Sequence, residues 1–165
     1  MAYMTQFNDL ADRERFAVAY PQGVLRTFDA TNRLRDEVGF VRAVVDDIAQ
    51  QLAVDPQRIY ATGASNGAFL TYQLACTAGD LFAAFAPVMA SMPADIADAC
   101  RPEDPRPMLI SHGTEDPIIP YAADVVFAGP TRELGLAPIA ETVAYWAEIN
   151  HCEAIPEVTA FPETN

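Results

Sequence analysis

The sequence predicts an α/β fold built on a parallel sheet with helices on both faces, and three observations carry that prediction. Strand-like and helix-like stretches alternate along the 165 residues. The strand-like stretches are continuous apolar runs rather than alternating ones, as strands covered on both faces require. Both unusual loops, at Ser65 and at Asp116, follow the C-terminal ends of such runs, where parallel sheets place their chemistry.

Each element has its own reason. Met1 to Leu10 contains polar Thr5, Gln6, Asn8 and Asp9 and reads as helix. Phe16 to Tyr20 is a short apolar run stopped by Pro21 and Gly23, which reads as a buried strand. Val38, Val41, Val45, Ile48 and Leu52 draw one apolar stripe at helical spacing, with Asp36 placed to cap it and Pro56 beyond its end. Arg58 to Thr62 reads as a second strand. Ala68 to Ala78 follows as a helix with Phe69, Leu70 and Leu74 facing inward and Gly79 past its end. Phe82 to Ala90 and Met108 to Ser111 are further strand-like runs. A last helix spans about Ile139 to Asn150, with Ile139, Val143 and Trp146 on one side. There are no repeats or low-complexity stretches, and the length fits a single domain over residues 1–165.

Hydrophobic residues make up 51% and charged residues 20%, which excludes a disordered chain. No apolar run reaches the roughly 18 residues of a membrane helix. Ten basic residues, all Arg, stand against 23 acidic ones, a net charge of −13. Such a surface repels phosphate backbones and anionic lipid, so neither nucleic acid nor membrane is an expected partner, and a neutral substrate is. Met1 to Asp9 has neither the basic segment nor the apolar stretch of a signal peptide, and location stays open. Cys76, Cys100 and Cys152 are too few for a disulfide framework and lack metal-ligand spacing; each reads as a buried structural cysteine, at least one of them unpaired, and their disulfide state stays open. Two distant histidines and scattered carboxylates form no ligand set, so no metal or cofactor is expected.

Gly63-Ala64-Ser65-Asn66-Gly67 carries the chemistry. A serine on a tight strand-to-helix turn is forced into a strained backbone, with flanking glycines sparing it Cβ clashes. The turn lifts the hydroxyl to the helix N-terminus, and the backbone N–H of Asn66 becomes an oxyanion donor. The alternative is a plain Gly/Ser turn. Asp116, in a turn between Gly113 and Pro117, stands where a triad acid belongs in the chain order Ser…Asp…His, though an Asx turn would also select it. A base is needed, and the chain offers His112 and His151. His112 is expected to brace the Asp116 turn. His151 has the right chain order, 35 residues after Asp116, but sits at a helix tail where a cation is favoured anyway.

These residues resemble the poly(3-hydroxybutyrate) depolymerase and feruloyl esterase group of α/β-hydrolases. The resemblance runs from Ala11-Asp12 and Phe16–Pro21, through Val38–Val41 and Asp55–Tyr60, to the Gly63–Ala68 turn. It continues in Phe82–Val88 and His112–Asp116 with Pro120-Tyr121, and ends at Glu141–Val143, Trp146, Asn150 and Cys152. It implies Ser65 as nucleophile, Asp116 as triad acid, and hydroxyalkanoate polyesters or feruloyl and other aromatic esters as substrates. The family's His-Gly strand and its catalytic Gly-His segment have no counterpart here, and His151 falls where the family has Gly. The resemblance therefore implies an incomplete sheet, missing the strand that flanks both Phe16–Tyr20 and Ile59–Thr62. Those two then pair directly or leave open edges, which makes a homodimer an expected outcome. The family is mostly secreted.

Three functional classes follow. The first is a serine esterase working through an acyl-enzyme on Ser65. The second is a catalytically incomplete hydrolase acting as an interaction domain. The third, a flavodoxin-like or response-regulator-like domain, fits the length, but Pro21-Gln22-Gly23-Val24 makes a poor phosphate cradle.

Overall fold

In the computed structural model the strand that follows Arg58 becomes β1, Tyr60–Ala64, and it leads directly into the longest buried helix, α3, Asn66–Thr77. Residues 5–29, 35–122, 125–127 and 133–160 are described, with backbone alone for 125–127 and 133. Ahead of β1 lie α1, Phe7–Glu14, a 3-10 turn at Val24–Arg26, and α2, Glu37–Gln51. After α3 come β2, Ala84–Val88, the short α4, Ala94–Ala99, the strands β3, Val125–Phe127, and β4, Glu133–Gly135, and finally α5, Ile139–Ile149.

β1 and β2 pair in parallel, Tyr60 opposite Ala84 and Ala64 opposite Val88. The run at Met108–Ser111 adds a third parallel row, but as isolated bridges at Phe85–Met108 and Val88–Ser111 rather than as a strand. Pro87 explains the break. Phe85 N–H donates to Pro107 C=O, Leu109 N–H to Phe85 C=O, Ser111 N–H to Pro87 C=O and Met89 N–H to Ser111 C=O. The rung between them would need an N–H on residue 87, which proline lacks.

α3 is buried almost all round, from Ala68 to Ala75, because β1 and β2 lie beneath it and α2 beside it. Phe69, Leu70 and Leu74 face inward as expected, and Tyr72 is fully buried, its hydroxyl donating to Ala90 C=O at 3.2 Å. Ile59, Ala61, Phe85, Met108 and Ile110 point to the main core, with Val41, Leu70, Leu74 and Trp146. The alternate residues point the other way. There, Tyr60 and Leu109 are 63% and 70% exposed, and Phe7 of α1 lines the same apolar groove. The α/β class with an incomplete parallel sheet is thus as expected, and the thin second layer is what makes it incomplete.

Several expectations change. Phe16–Tyr20 forms no strand; Phe16 is 45% exposed, and the Tyr20 hydroxyl donates to Asn8 Oδ1. An isolated strand leaves its backbone groups without partners, and no described strand adjoins this run. It therefore does not pair with β1. Of the stretch expected as helix, Thr5 and Phe7–Leu10 are helical with a break at left-handed Gln6, and residues 1–4 lie outside the described set. In α5, Ile139 and Trp146 are buried, but Thr142 holds the position expected of Val143, which is half exposed. Thr142 Oγ1 accepts from Met92 N–H, so a hydroxyl suits that core position. The α2 stripe is buried only at Val41; Leu52 is 52% exposed. Cys76 and Cys100, whose pairing the sequence leaves open, form a disulfide joining the ends of α3 and α4, and Cys152 is exposed rather than buried. The β3–β4 hairpin, antiparallel with Val125 opposite Gly135, was not expected.

Candidate active site

Three consecutive rows of the parallel sheet end side by side. Ser65 N–H donates to Val88 C=O at 3.0 Å, and Met89 N–H to Ser111 C=O at 2.8 Å, so Ser65, Met89 and His112 stand in a row at one edge. Two strand spacings separate the outer members, roughly 10 Å of backbone.

Ser65 has φ 54° and ψ −119°, a left-handed backbone costing a non-glycine residue on the order of 1–3 kcal/mol. The turn persists because β1 holds one side and α3 the other. Its hydroxyl makes no hydrogen bond among the described residues, and the residue is exposed. The C=O of Ser65 accepts from Ala68 and Phe69, whereas the N–H of Asn66 has no acceptor among the described residues. A free N–H at a helix N-terminus beside an exposed hydroxyl is the geometry an oxyanion requires. The two glycines differ. A Cβ on Gly63 would sit 2.2 Å from the Gly67 carbonyl oxygen, so strand and helix touch there; a Cβ on Gly67 would meet nothing within 4 Å. Only Gly63 relieves a clash.

Asn66 also has a side-chain role absent from the sequence reading. Its Oδ1 accepts from Phe28 N–H at 2.7 Å and from Thr27 Oγ1 at 3.2 Å, and its Nδ2 donates to Phe28 C=O at 3.0 Å. One amide thus holds both backbone groups of Phe28, 38 residues away. Nothing in the spacing of the two segments could reveal this.

Asp116 turns on itself. Its Oδ1 accepts from Ile118 N–H at 2.8 Å and Ile119 N–H at 2.9 Å, so it forms the Asx-type turn anticipated as the alternative reading. Those two donors, Ile119 first, hold its carboxyl below the usual carboxylate range. Oδ2 is left for another partner, and the His112 Nδ1 lies 4.0 Å from it, beyond hydrogen-bond reach. The His112 ring is buried, its Nε2 is 2.9 Å from Ile119 C=O, and it stacks near Tyr121 with centroids 6.0 Å apart. Nδ1 has no hydrogen-bond partner among the described residues. His151, at φ 53° just past α5, is exposed and is not brought within ion-pair distance of Asp116. The structure thus gathers Ser65, Asn66, His112 and Asp116 at one edge. It does not bring His151 to Asp116.

The parallel rows, the strained serine turn and the carboxylate loop after the third row together are those of an α/β-hydrolase-type fold. Comparison with known proteins agrees: the prolyl oligopeptidase family, a peptidase S9 family with this fold, matches residues 31–98. The relatives are esterases. A protein named as the esterase NocK, from Nocardia uniformis subsp. tsuyamanensis, is 33% identical over 144 residues, covering 83% of this chain and 42% of its own length. Feruloyl esterase B of Piromyces equi is 32% identical, covering 74% of this chain and 23% of its own length. Poly(3-hydroxyalkanoate) depolymerase C of Paucimonas lemoignei is 33% identical over 90 residues, 48% of this chain and 22% of its own length. The chain therefore spans less than half of each of these relatives, and the resemblance to feruloyl esterases and polyhydroxyalkanoate depolymerases holds. No solved structure matches it. Among the described residues no helix is long and apolar enough to cross a membrane.

Proposed function

We propose that the chain is a serine carboxylic-ester hydrolase domain, and the observation that carries this is Ser65: exposed, left-handed, and beside an uncommitted N–H. Ser65 Oγ attacks the ester carbonyl carbon while its proton passes to an imidazole base. The oxyanion is held by Asn66 N–H, the alcohol leaves with that proton, and water then releases the acid from Ser65. Asp116 Oδ2 orients the imidazole. That imidazole is His151, brought over by a movement of the segment after α5, or a histidine that this sequence does not contain; His112 keeps its bracing role. The relatives' names support neutral esters as the substrate class, hydroxyalkanoate polyesters or feruloyl and other aromatic esters, in a chain carrying a net charge of −13. The open outer edge of β1 supports a homodimer. The second reading, a hydrolase-like interaction domain, is favoured because among the described residues no imidazole stands within hydrogen-bond reach of Asp116 Oδ2.

A fluorophosphonate probe decides between them. Under the esterase reading it labels Ser65, and Ser65→Ala abolishes both labelling and hydrolysis of p-nitrophenyl butyrate. An unlabelled but folded chain is the interaction domain.

A further inference from the structure

The segment Gly23–Asp29 has a construction that neither the core nor the triad explains. It has no strand neighbour among the described residues, yet its backbone groups from Thr27 to Asp29 are taken up by side chains. Arg35 donates to Thr27 C=O, Asn66 holds Phe28 N–H and C=O, and Glu37, itself buried, accepts from Asp29 N–H at 2.9 Å. Phe28 is the anchor, packed against the main core. The residues before it close on themselves, Arg26 N–H to Gly23 C=O and Thr27 N–H to Val24 C=O. Gly23 lies so close beneath that a Cβ there would sit 2.1 Å from the Thr27 carbonyl oxygen.

What this frame holds out is Val24, Leu25 and the cationic Arg26, exposed and in part strained. Leu25 is 91% exposed at φ 54°, Arg26 follows at φ 63°, and Val24 is 58% exposed. A flexible loop would relax both left-handed residues. Here Arg26 N–H is closed onto Gly23 C=O and side chains fix Thr27, Phe28 and Asp29 directly behind the turn, and strain kept at a surface points to use. The tie that fixes the turn comes from Asn66, the residue next to the nucleophile. The turn is therefore in register with Ser65 through a single side chain.

We propose that the Val24–Leu25 turn is a contact surface for the apolar part of the ester, with the Asn66 side chain as the positioning residue that sets it against Ser65. The proposal rests on the esterase reading for its ligand class, but not on turnover for its test. An exposed leucine two residues before the Thr27–Phe28 segment that Asn66 ties down suits an alkyl or aromatic ester group. A rigid tip contributes more than a mobile one, because less ordering is required when the ligand binds.

The test uses the full chain as Ser65→Ala, isotopically labelled, titrated with p-nitrophenyl hexanoate and p-nitrophenyl acetate. The expected result is that the Leu25 methyl resonances shift with hexanoate. Leu25→Ser, at an exposed site that cannot unfold the core, should weaken hexanoate about fivefold more than acetate. Asn66→Ala should speed hydrogen exchange at Phe28 N–H at least tenfold and lose the same chain-length preference. Asn66→Asp, which keeps the acceptor and loses the donor, should fall between. Shifts confined to other residues, no binding at all, or an unchanged preference in Leu25→Ser would overturn the proposal. Failure of fluorophosphonate labelling in the Ser65 protein would instead count against the esterase reading alone.

Discussion

Gly63 and Gly67 flank the same serine and look interchangeable in a Gly-x-Ser-x-Gly motif, yet the residues they touch separate them. Gly63 lies against the Gly67 carbonyl and Thr71 Oγ1, so Gly63→Ala must push strand from helix at the base of α3. We expect a loss of about 2 kcal/mol or more, of the overpacking kind. Gly67→Ala meets open space in the first turn of a helix, where alanine is the better helix former, so stability should hold or rise by up to about 1 kcal/mol. Urea unfolding of the two variants checks both, and equal losses would contradict the asymmetry. Asp116 makes a second case. Its carboxyl is depressed from an ordinary value of 3.8, so its stabilising contribution is complete above that value and lost as pH falls through the lower folded one. Asp116 itself should then contribute no acid limb to ester hydrolysis above that ordinary value. Asp116→Asn retains an oxygen for Ile118 and Ile119 and should fold normally, while turnover falls about 10³-fold or more as the imidazole loses its orientation. A full-rate Asp116→Asn enzyme would remove the aspartate from the mechanism.

Helices α1, α2, α3 and α5 were legible in the sequence because their causes are local. Asp36 was readable as the cap of α2, and its Oδ1 does accept from Gly39 N–H at 2.8 Å. The Ser65 turn was legible for the same reason, since a strand, two glycines and a helix are adjacent in the chain. What escaped depended on distant partners. Phe16–Tyr20 has strand composition, but a strand exists only where a neighbour supplies its hydrogen bonds. Pro87 broke the third row by lacking one N–H whose acceptor lies on another segment. The Asn66 clamp joins residues 38 apart, and the Cys76–Cys100 bond joins helix ends that no spacing rule connects. That bond yields a prediction for its elements. Closing a loop of sequence separation 24 restricts the unfolded chain by about 3 kcal/mol. Cys76→Ser with Cys100→Ser should lower the thermal midpoint by several degrees in calorimetry, with α3 still formed. An unchanged midpoint would mean the two thiols are not bonded in solution.

At the scale of the whole molecule the sheet is lopsided, and two surfaces coincide on its uncovered side. The outer edge of β1 has no strand partner among the described residues. The face beside it, formed by Tyr60, Thr62, Ala84, Ala86 and Leu109, encloses an apolar groove of about 390 Å³ with Phe7 at its rim. An open edge beside an apolar face is the arrangement that a second copy covers most economically, because a two-fold axis lets each chain bury the same groups of the other. The net charge of −13 opposes that contact: two copies repel, and the repulsion is screened by salt. The proposed homodimer should therefore tighten as salt rises, the reverse of an association held by ion pairs. Sedimentation velocity from 20 to 300 mM NaCl should show the dimer fraction increasing. Tyr60→Lys with Leu109→Glu, both at exposed positions, should return the chain to monomer without lowering its unfolding midpoint. A chain that stays monomeric at 100 μM across that salt range would refute the dimer, and β1 would then stand as an edge guarded by charge repulsion alone.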